Sequence, residues 1–301
     1  MSCPSSGDAS RAHAAFRPLP ASTFRGPNAL REQHSPAVFR GLAAAWPAVQ
    51  QWRFSDLADR VPDRNVQLVV GNREHEATCF VESSLSAYLR GLASPVDARQ
   101  APAYLKEFDL LQALPALRQD LKHAEIFPGG VTQSLQSWIG PAGARTGLHH
   151  DYLNNLAVQI VGRKRFYLLH PATVERLGAV SPKYDAWARL SSQSAQTLAA
   201  ADPAPSTHYA VVDLEPGDVL YVPAHWWHEV HNLSASILFG GFYGPRAAVA
   251  ALWVGVGLRN TLHRLGWLGQ QGCTCHPELG FRSPVAATPP PARLSKTRCG
   301  L

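Results

Sequence analysis

The chain has 301 residues, of which 46% are hydrophobic and 17% charged, and this composition is typical of a globular protein with a sizeable core. Its formal net charge is +6, yet the charges form no block and no basic stripe between aromatic residues, so we expect no nucleic-acid partner. The five cysteines are sparse and odd in number, which argues against a disulfide framework and for a reducing compartment. We therefore expect a cytoplasmic protein, with the nucleus as the alternative.

The first part of the chain alternates between predicted strands and helices. Residues 1–15 are small and polar, with no apolar stretch behind a charged start, which predicts a disordered N-terminus without a secretory signal. The elements predicted next, in chain order, are a strand over 66–70, a helix over 84–92 that begins at a Ser cap, an amphipathic helix over 110–121 and a strand over 134–139.

The following stretch offers two metal-ligand side chains at strand spacing. His149 and Asp151 are two residues apart, and because side chains alternate between the faces of a strand, both point the same way while His150 points away. One more imidazole would complete a set of two histidines and one carboxylate, which leaves open positions on a non-haem Fe(II). A structural zinc site would instead be closed by four ligands. The alternative is a surface hydrogen-bonded pair, because a motif this short occurs often by chance.

The residues after this pair predict a hairpin that carries a buried lysine. A mostly apolar run over 156–161 is followed by Gly162-Arg163 as the turn and by a second strand over 164–169. Lys164 would then lie beside the metal strand and face the interior. A buried lysine is costly unless an anion pairs with it, and a dicarboxylate co-substrate is the simplest such anion.

A second stretch, over 214–233, holds the candidates for the missing imidazole. A turn over 215–218 and a strand over 219–222 are predicted by composition, and Pro223 ends that strand. His225, His228 and His231 follow within nine residues and compete for the role of third ligand.

Together the two stretches resemble the JmjC and cupin-like 2-oxoglutarate oxygenases, in particular the group containing the asparaginyl hydroxylase that acts on hypoxia-inducible factor. That family has a Thr or Ser three residues before the first His, an Asn six after it and a Lys fifteen after it. This chain has Thr146, Asn155 and Lys164 at those places. The family also has a Pro-x-x-Trp-Trp-His pattern, which this chain matches at Pro223, Trp226, Trp227 and His228.

The resemblance implies a role for each matching residue. The implied catalytic and Fe(II)-binding residues are His149, Asp151 and His228, which leaves His225 and His231 at the rim of the site. Lys164 and Thr146 are implied to bind the distal carboxylate of 2-oxoglutarate, with Asn155 nearby. Tyr104 is also implied to bind the co-substrate, because it lies in a segment similar to one in which a family Tyr contacts it. For Tyr104 the alternative is a half-buried aromatic residue whose hydroxyl is satisfied within the protein.

The fold implied by the resemblance is mainly β with α. It is a double-stranded β-helix (jelly-roll or cupin) barrel with flanking N-terminal helices and a C-terminal helical segment. The JmjC/cupin-like oxygenase domain would span 16–245, a C-terminal helix 246–272 and a disordered tail 273–301. Some relatives carry an Asn where this chain has Gly241, which puts one outer co-substrate contact in doubt.

The region after 245 raises two further questions. The apolar run over 247–258 is shorter than the ~20 residues that span a bilayer, so we expect no membrane association. Because the family often dimerises through C-terminal helices, we expect this helix to form a homodimer. Cys273-Thr274-Cys275-His276 could be half of a zinc site, but the sequence shows no matching second half apart from Cys299, so we do not favour one.

The function implied is an Fe(II)/2-oxoglutarate-dependent dioxygenase. We expect it to use O2 to hydroxylate a protein or peptide side chain while 2-oxoglutarate is decarboxylated to succinate. The alternatives are a small-molecule hydroxylase of the same machinery and a catalytically inactive cupin-like binding module. Lysine demethylation is less favoured, because the chain shows no zinc-finger reader or histone-binding module.

Overall fold

The computed structural model describes residues 16–62, 64–93, 101–128, 132–202 and 209–276, and its strands form two facing β-sheets. In chain order the strands are β1 (Arg17–Pro18), β2 (Ala37–Phe39), β3 (Asn65–Val70), β4 (Cys79–Ser84), β5 (Ala103–Phe108), β6 (Thr132–Gly140), β7 (Arg145–Asp151), β8 (Asn154–Val161), β9 (Lys164–Leu169), β10 (Ala188–Leu190), β11 (Tyr209–Leu214), β12 (Val219–Val222), β13 (Trp227–Asn232) and β14 (Ser236–Gly244).

The two sheets enclose one apolar core. The first has the strand order β1-β11-β9-β13-β7-β10 and the second the order β2-β12-β8-β14-β6-β5-β3-β4. Ala157 and Leu238 of the second sheet pack with Phe166 and Val230 of the first. This two-sheet packing confirms the predicted jelly roll. The strands predicted from β-branched and aromatic content, among them β3, β6 and β12, are confirmed as well.

Helices cover the outer face of the second sheet and one end of the barrel. In chain order they are α1 (Pro47–Gln51), α2 (Phe54–Arg60), α3 (Leu85–Leu92), α4 (Leu110–Ala113), α5 (Ala172–Arg176), α6 (Ala195–Ala201) and α7 (Arg246–Arg264). Strand β8 is buried along nearly its whole length because it has neighbours on both faces: Leu156, Val158 and Ile160 pack with the N-terminal helices, and Ala157 faces the barrel. Such a strand is typically a nearly continuous apolar run, which Gln159 interrupts here.

The capped helix predicted over 84–92 is confirmed, and the longer one over 110–121 is not. The Ser84 hydroxyl accepts a hydrogen bond from the Ala87 N–H at 3.2 Å, which is a standard N-cap. Helix α4, by contrast, ends at Ala113, and a 3-10 helix over Pro115–Asp120 follows. Pro115 disfavours the helical conformation of the preceding residue, and Leu114 accordingly has φ −139° and ψ 80°.

The predicted hairpin of β8 and β9 is wrong. Strand β8 pairs with β12 and β14 in one sheet, whereas β9 pairs with β11 and β13 in the other. The Gly162 turn is where predicted, with φ +70°, and it carries the chain across the barrel. A Cβ on Gly162 would lie 2.0 Å from the Ala235 carbonyl oxygen, so this crossing needs glycine. Lys164 therefore reaches the interior from a strand separated from β7 by β13.

Helix α7 lies across one open end of the barrel and lines its cavity. Arg259 donates hydrogen bonds to the Tyr152 hydroxyl at 3.1 Å and to the Asp185 carbonyl at 2.8 Å. Order continues past the predicted start of the tail at 273, because residues 273–276 are described and hydrogen-bonded. The remainder of the predicted tail, 277–301, and the predicted disordered segment 1–15 lie outside the described residues.

Two properties bear on the expectations about environment. In the part of the chain that the structure describes, no helix has the length and apolarity needed to cross a bilayer. Cys79 is disulfide-bonded, whereas Cys273 and Cys275 carry free thiols. The expectation of reduced cysteines therefore does not hold at Cys79.

Candidate active site

Adjacent strands of the first sheet bring the predicted histidines and aspartate together. Strand β7 carries His149 and Asp151, and His228 on β13 lies opposite His149 in the register of the two strands. Carboxylate oxygens of Asp151 lie 3.9 Å from His149 Nε2 and 3.5 Å from His228 Nε2. One ligand atom from each residue lies within 4.8 Å of the other two, a spacing that allows all three to surround one metal ion.

Backbone carbonyls determine which nitrogen of each imidazole faces the cluster. His149 Nδ1 lies 2.8 Å from the Gly147 carbonyl oxygen, and His228 Nδ1 lies 3.1 Å from that of Trp226. Because a carbonyl only accepts hydrogen bonds, each Nδ1 carries the proton and each Nε2 presents its lone pair toward Asp151. This orientation is the one that metal-binding histidines adopt.

The charge states of the three groups also suit a cation. Burial, with repulsion from His228, lowers the pKa of His149 well below its ordinary value, and burial lowers the pKa of His228 to about 4. Both imidazoles are thus neutral and able to donate to a metal. Burial, with Glu107 and Asp185 adding to it, raises the pKa of Asp151 well above its ordinary range. A divalent cation reverses that penalty, so the donor set fits one.

The competing histidines lie outside this cluster. His231 Nε2 contacts a carboxylate oxygen of Glu229 at 2.6 Å. His225 has a left-handed backbone, with φ 67°, and its ring centroid lies 5.1 Å from that of His150. The structure therefore brings His228, and neither of the other two candidates, to the His149 and Asp151 pair.

A cavity of about 570 Å³ extends from the cluster into the barrel, and Lys164 lies at its inner end. The side chain is fully buried, and Nζ donates to Tyr104 Oη at 2.6 Å and to Asn232 Oδ1 at 2.7 Å. None of the described carboxylates forms an ion pair with it. Burial, with repulsion from Lys106, lowers the pKa of Lys164 well below its ordinary value. The cavity thus contains a cationic site whose protein partners are neutral oxygens.

The remaining predicted residues line the same cavity at two depths. Thr146 lies next to Tyr104, where its side chain partly offsets the rise in the pKa of that phenol, and so belongs to the lysine end. Asn155 lies next to Asp151, where its side chain partly offsets the rise in the pKa of that carboxyl, and so belongs to the metal end. The Oδ1 atom of Asn155 is buried and has no hydrogen-bond partner among the described residues. This residue therefore has a free hydrogen-bond acceptor in the wall of the cavity.

Asn232 is a cavity residue that the sequence analysis did not identify. It lies on the same face of β13 as His228, four residues along, and its Nδ2 donates to the Pro141 carbonyl at 3.0 Å. That bond orients the amide so that Oδ1 points at Lys164. The period-two alternation of β13 was a sufficient indication, since positions 228, 230 and 232 share one face.

A buried ion pair behind β7 was also missed. Lys106 Nζ lies 2.9 Å from both carboxylate oxygens of Glu74, and one of these accepts the Gly147 N–H at 3.1 Å. Burial opposes ionisation of Glu74, but Lys106 and Arg73 outweigh it and lower the pKa of this glutamate. Because Gly147 also accepts the bond from His149, the pair supports the backbone that orients the first imidazole. These residues are far apart in the sequence and carry no motif.

The position of Gly241 is explained by packing. A Cβ there would lie 2.0 Å from Phe127 Cζ, on the side of β14 that faces the outer helices. The neighbouring Phe242 lines the cavity instead. An asparagine at 241 would not reach the co-substrate end of this barrel.

A jelly roll that presents two histidines and one carboxylate beside a cavity defines the class of mononuclear metal-dependent oxygenase folds. The particular family follows from comparison: the chain matches the model of the cupin-like domain over residues 21–249, and it belongs to this family. Iron and 2-oxoglutarate dependence are typical of the JmjC members of the family.

Several named proteins are similar to this chain. Lysine-specific demethylase JMJ30 of Arabidopsis thaliana is 29% identical over 215 residues, which cover 67% of this chain and 48% of that protein. HSPB1-associated protein 1 homolog of Danio rerio is 30% identical over 222 residues, 66% of this chain and 49% of that protein. Jumonji C domain-containing protein 5 of Drosophila melanogaster is 27% identical over 223 residues, 68% of this chain and 53% of that protein. The chain spans about half the length of these relatives.

Proposed function

We propose that this protein is an Fe(II)/2-oxoglutarate-dependent dioxygenase that hydroxylates a protein or peptide side chain. The observation that carries the proposal is the fully buried Lys164 ammonium, which has hydrogen-bonding neighbours but no paired carboxylate among the described residues. A buried cation of this kind is stable when a ligand supplies the anion. Its place across the cavity from the His149, Asp151 and His228 cluster fits a ligand with an acid at each end.

Each residue has a distinct task in this proposal. His149, Asp151 and His228 would hold Fe(II), which when bound supplies the oxidising chemistry with O2. Lys164 would bind the distal carboxylate in a charge-assisted hydrogen bond, and the Tyr104 hydroxyl would keep the ammonium in place. A ligand anchored at that depth leaves its other end at the metal.

Further contacts of the same kind complete the site. Thr146, which lies next to Tyr104, would add a hydroxyl to the distal carboxylate. Asn155, which lies next to Asp151, would hold the orientation of that carboxylate. The apolar wall formed by Phe166, Val230 and Leu238 would keep water away from the reacting groups.

The mouth of the cavity supports a protein or peptide substrate. Trp187 and Trp253 both line it, are 41% and 58% exposed, and pack edge to face with ring centroids 4.7 Å apart. Exposed aromatic pairs beside a cavity are typical of surfaces that bind another polypeptide. A small-molecule substrate would gain little from this rim. The names of the relatives JMJ30 of Arabidopsis thaliana and lysine-specific demethylase 8 of Xenopus tropicalis make demethylation of a lysine the second candidate.

Succinate production from 2-oxoglutarate tests the proposal. The purified chain with Fe(II) and O2 should form succinate, and Asp151→Ala, which lacks the carboxylate ligand, should not. A peptide library should raise turnover in the unsubstituted chain, and mass spectrometry of the product separates a gain of oxygen from the loss of a methyl group. Failure to form succinate with every peptide and small molecule tried, although 2-oxoglutarate binds, would favour the binding module instead.

A control variant connects the mouth to the substrate. Trp253→Ser should lower the stimulation by peptide while leaving the basal formation of succinate unchanged, because this side chain is 58% exposed at the mouth of the cavity. Equal loss of both activities would show that Trp253 supports the fold rather than the substrate.

A further inference from the structure

The last turn of α7 and the segment after it bring four metal-binding side chains together. His263 lies in the helix, and Cys273, Cys275 and His276 follow ten to thirteen residues later. One ligand atom of each lies within 4.8 Å of the other three. The Cys-x-Cys-His motif offers three ligands, and His263 of the helix is the fourth ligand that the sequence did not reveal. None of these residues belongs to the His149, Asp151 and His228 cluster.

We propose that these four residues form a structural zinc site. For a tetrahedral zinc with Zn–S near 2.3 Å and Zn–N near 2.0 Å, neighbouring S and N ligands lie about 3.5 Å apart and two N ligands about 3.3 Å apart. Cys275 Sγ lies 3.3 Å from both His263 Nε2 and His276 Nδ1, and Cys273 Sγ lies 3.4 Å from His276 Nδ1. The two imidazole nitrogens are 3.4 Å apart. Four of the six separations between ligand atoms therefore match a zinc tetrahedron, and the other two lie within 4.8 Å.

Hydrogen bonding alone does not account for these contacts. His263 Nδ1 lies 2.8 Å from the Leu268 carbonyl oxygen, so it carries the proton, and Nε2 has only a lone pair to offer. Each hydrogen bond needs a proton between its two atoms, so the four close contacts would need four protons. The other three atoms can supply about three at most: one on each thiol and one on His276 Nδ1. A single dication would satisfy all four atoms at once.

The surroundings of His263 orient it as metal ligands are oriented. The carbonyl that accepts from Nδ1 fixes the tautomer, which is the usual second contact of a zinc-binding histidine. Gly269, with φ +79°, allows the chain to pass close to the ring, since a Cβ there would lie 2.6 Å from Nδ1. Tyr184 stacks on the ring of His263, with ring centroids 4.3 Å apart and an interplanar angle of 23°.

The Cys273 ligand is attached to the barrel through its backbone and neighbours. Its carbonyl accepts a hydrogen bond from the Thr78 hydroxyl at 2.6 Å, and the residue forms a parallel bridge with Tyr184. Thr274, next along, donates from its hydroxyl to the Asp185 carboxylate. A metal at this point would therefore join the end of α7 to the barrel wall that lines the mouth of the cavity.

The choice of zinc follows from the ligand types. Two thiolates and two imidazoles close a tetrahedral site without an open position, which is the arrangement of structural zinc. The barrel cluster has no thiolate and only three protein ligands, so it suits a metal that must bind further molecules. The role we infer for the zinc is to hold α7 across the cavity mouth, and this inference does not depend on the proposed oxygenase activity.

Metal analysis of the full chain tests the site, with the barrel cluster disabled. In an Asp151→Ala background, mass spectrometry of the purified protein should give about one zinc per chain. Adding Cys273→Ser and Cys275→Ser should remove it. His276→Gln is a gentler variant, because this exposed side chain is no part of the core, and it should weaken zinc binding by at least about tenfold.

Cobalt provides a spectroscopic readout that the barrel cluster cannot mimic. Replacing zinc by Co(II) in the Asp151→Ala background should give thiolate-to-cobalt charge-transfer absorption and the intense visible bands of tetrahedral cobalt. Chelation of zinc should also speed hydrogen exchange in the last turns of α7. Zinc content well below one per chain together with no charge-transfer band would overturn the proposal, and so would a band that survives the loss of both cysteines.

Discussion

Replacing Lys164 by methionine removes one charge from the inner end of the cavity while nearly preserving the volume of the side chain. The unsubstituted ammonium is fully buried and donates to two neutral oxygens at 2.6 and 2.7 Å. A distal carboxylate bound there would form a desolvated charge pair, and loss of one partner of such a pair costs about 2 to 5 kcal/mol. At 1.36 kcal/mol per factor of ten, the Kd for 2-oxoglutarate should rise by about 30-fold to several thousand-fold.

The assay compares two ligands under anaerobic conditions with Fe(II). 2-Oxoglutarate and 2-oxopentanoate share the chelating 2-oxo acid, but the second has a methyl group in place of the distal carboxylate. Chelation is followed by the visible absorption of the iron complex. The unsubstituted chain should prefer 2-oxoglutarate strongly, and Lys164→Met should bind the two ligands with similar Kd. Arg165→Met is the matched control, because this neighbour is paired with Asp213 on the outside of β9, and it should preserve the preference.

The pH dependence provides a second check on the same residue. In the free protein the pKa of Lys164 is lowered by burial and by Lys106, and a bound carboxylate favours the protonated form. Binding of 2-oxoglutarate is therefore coupled to proton uptake, and its affinity should fall as the pH rises through the pKa of the free lysine. 2-Oxopentanoate should not show this dependence. An unchanged preference between the two ligands in Lys164→Met would refute the reasoning, since it would mean that the lysine does not contact the distal acid.

Three further predictions concern stability and assembly. Burial lowers the pKa of His150 from 6.5 to about 4 in the folded chain. As the pH falls, the unfolded chain therefore binds a proton at this residue before the folded chain does, and stability should be lost between pH 6.5 and 4. This loss of stability should reach at most about 3 kcal/mol, and it should be smaller in His150→Asn. Urea titrations that found the same acid sensitivity in both chains would contradict the prediction. Glu74→Gln leaves Lys106 buried and unpaired and should lower the free energy of unfolding by about 3 to 5 kcal/mol, most of which the double variant with Lys106→Met should recover. We also propose that two copies of the chain pair through a face of α7 that includes Val254, which is 75% exposed. Light scattering at micromolar concentration should give a dimer mass for the unsubstituted chain and a monomer mass for Val254→Lys.

Local rules recovered the parts of the site that lie on one strand. The spacing of His149 and Asp151 places both on one face because strand side chains alternate, and the structure brings them together. The family pattern added His228, Lys164 and Tyr104, and all three line the same cavity. Element boundaries were accurate where a cap or a run of β-branched residues marks them, as at Ser84.

The amino-acid sequence alone specifies the chemistry available at each position and the period at which side chains face the interior. It could not determine which sheet a strand joins: β9 was predicted beside β8, although hydrogen bonds with β11 and β13 place it across the barrel. The contacts of Asn232 with Lys164 and of His263 with the cysteines join residues that are distant or lie on different elements. Such contacts depend on how separate segments of the chain pack in three dimensions. Periodicity and capping act within a few residues, so they cannot predict contacts of this kind.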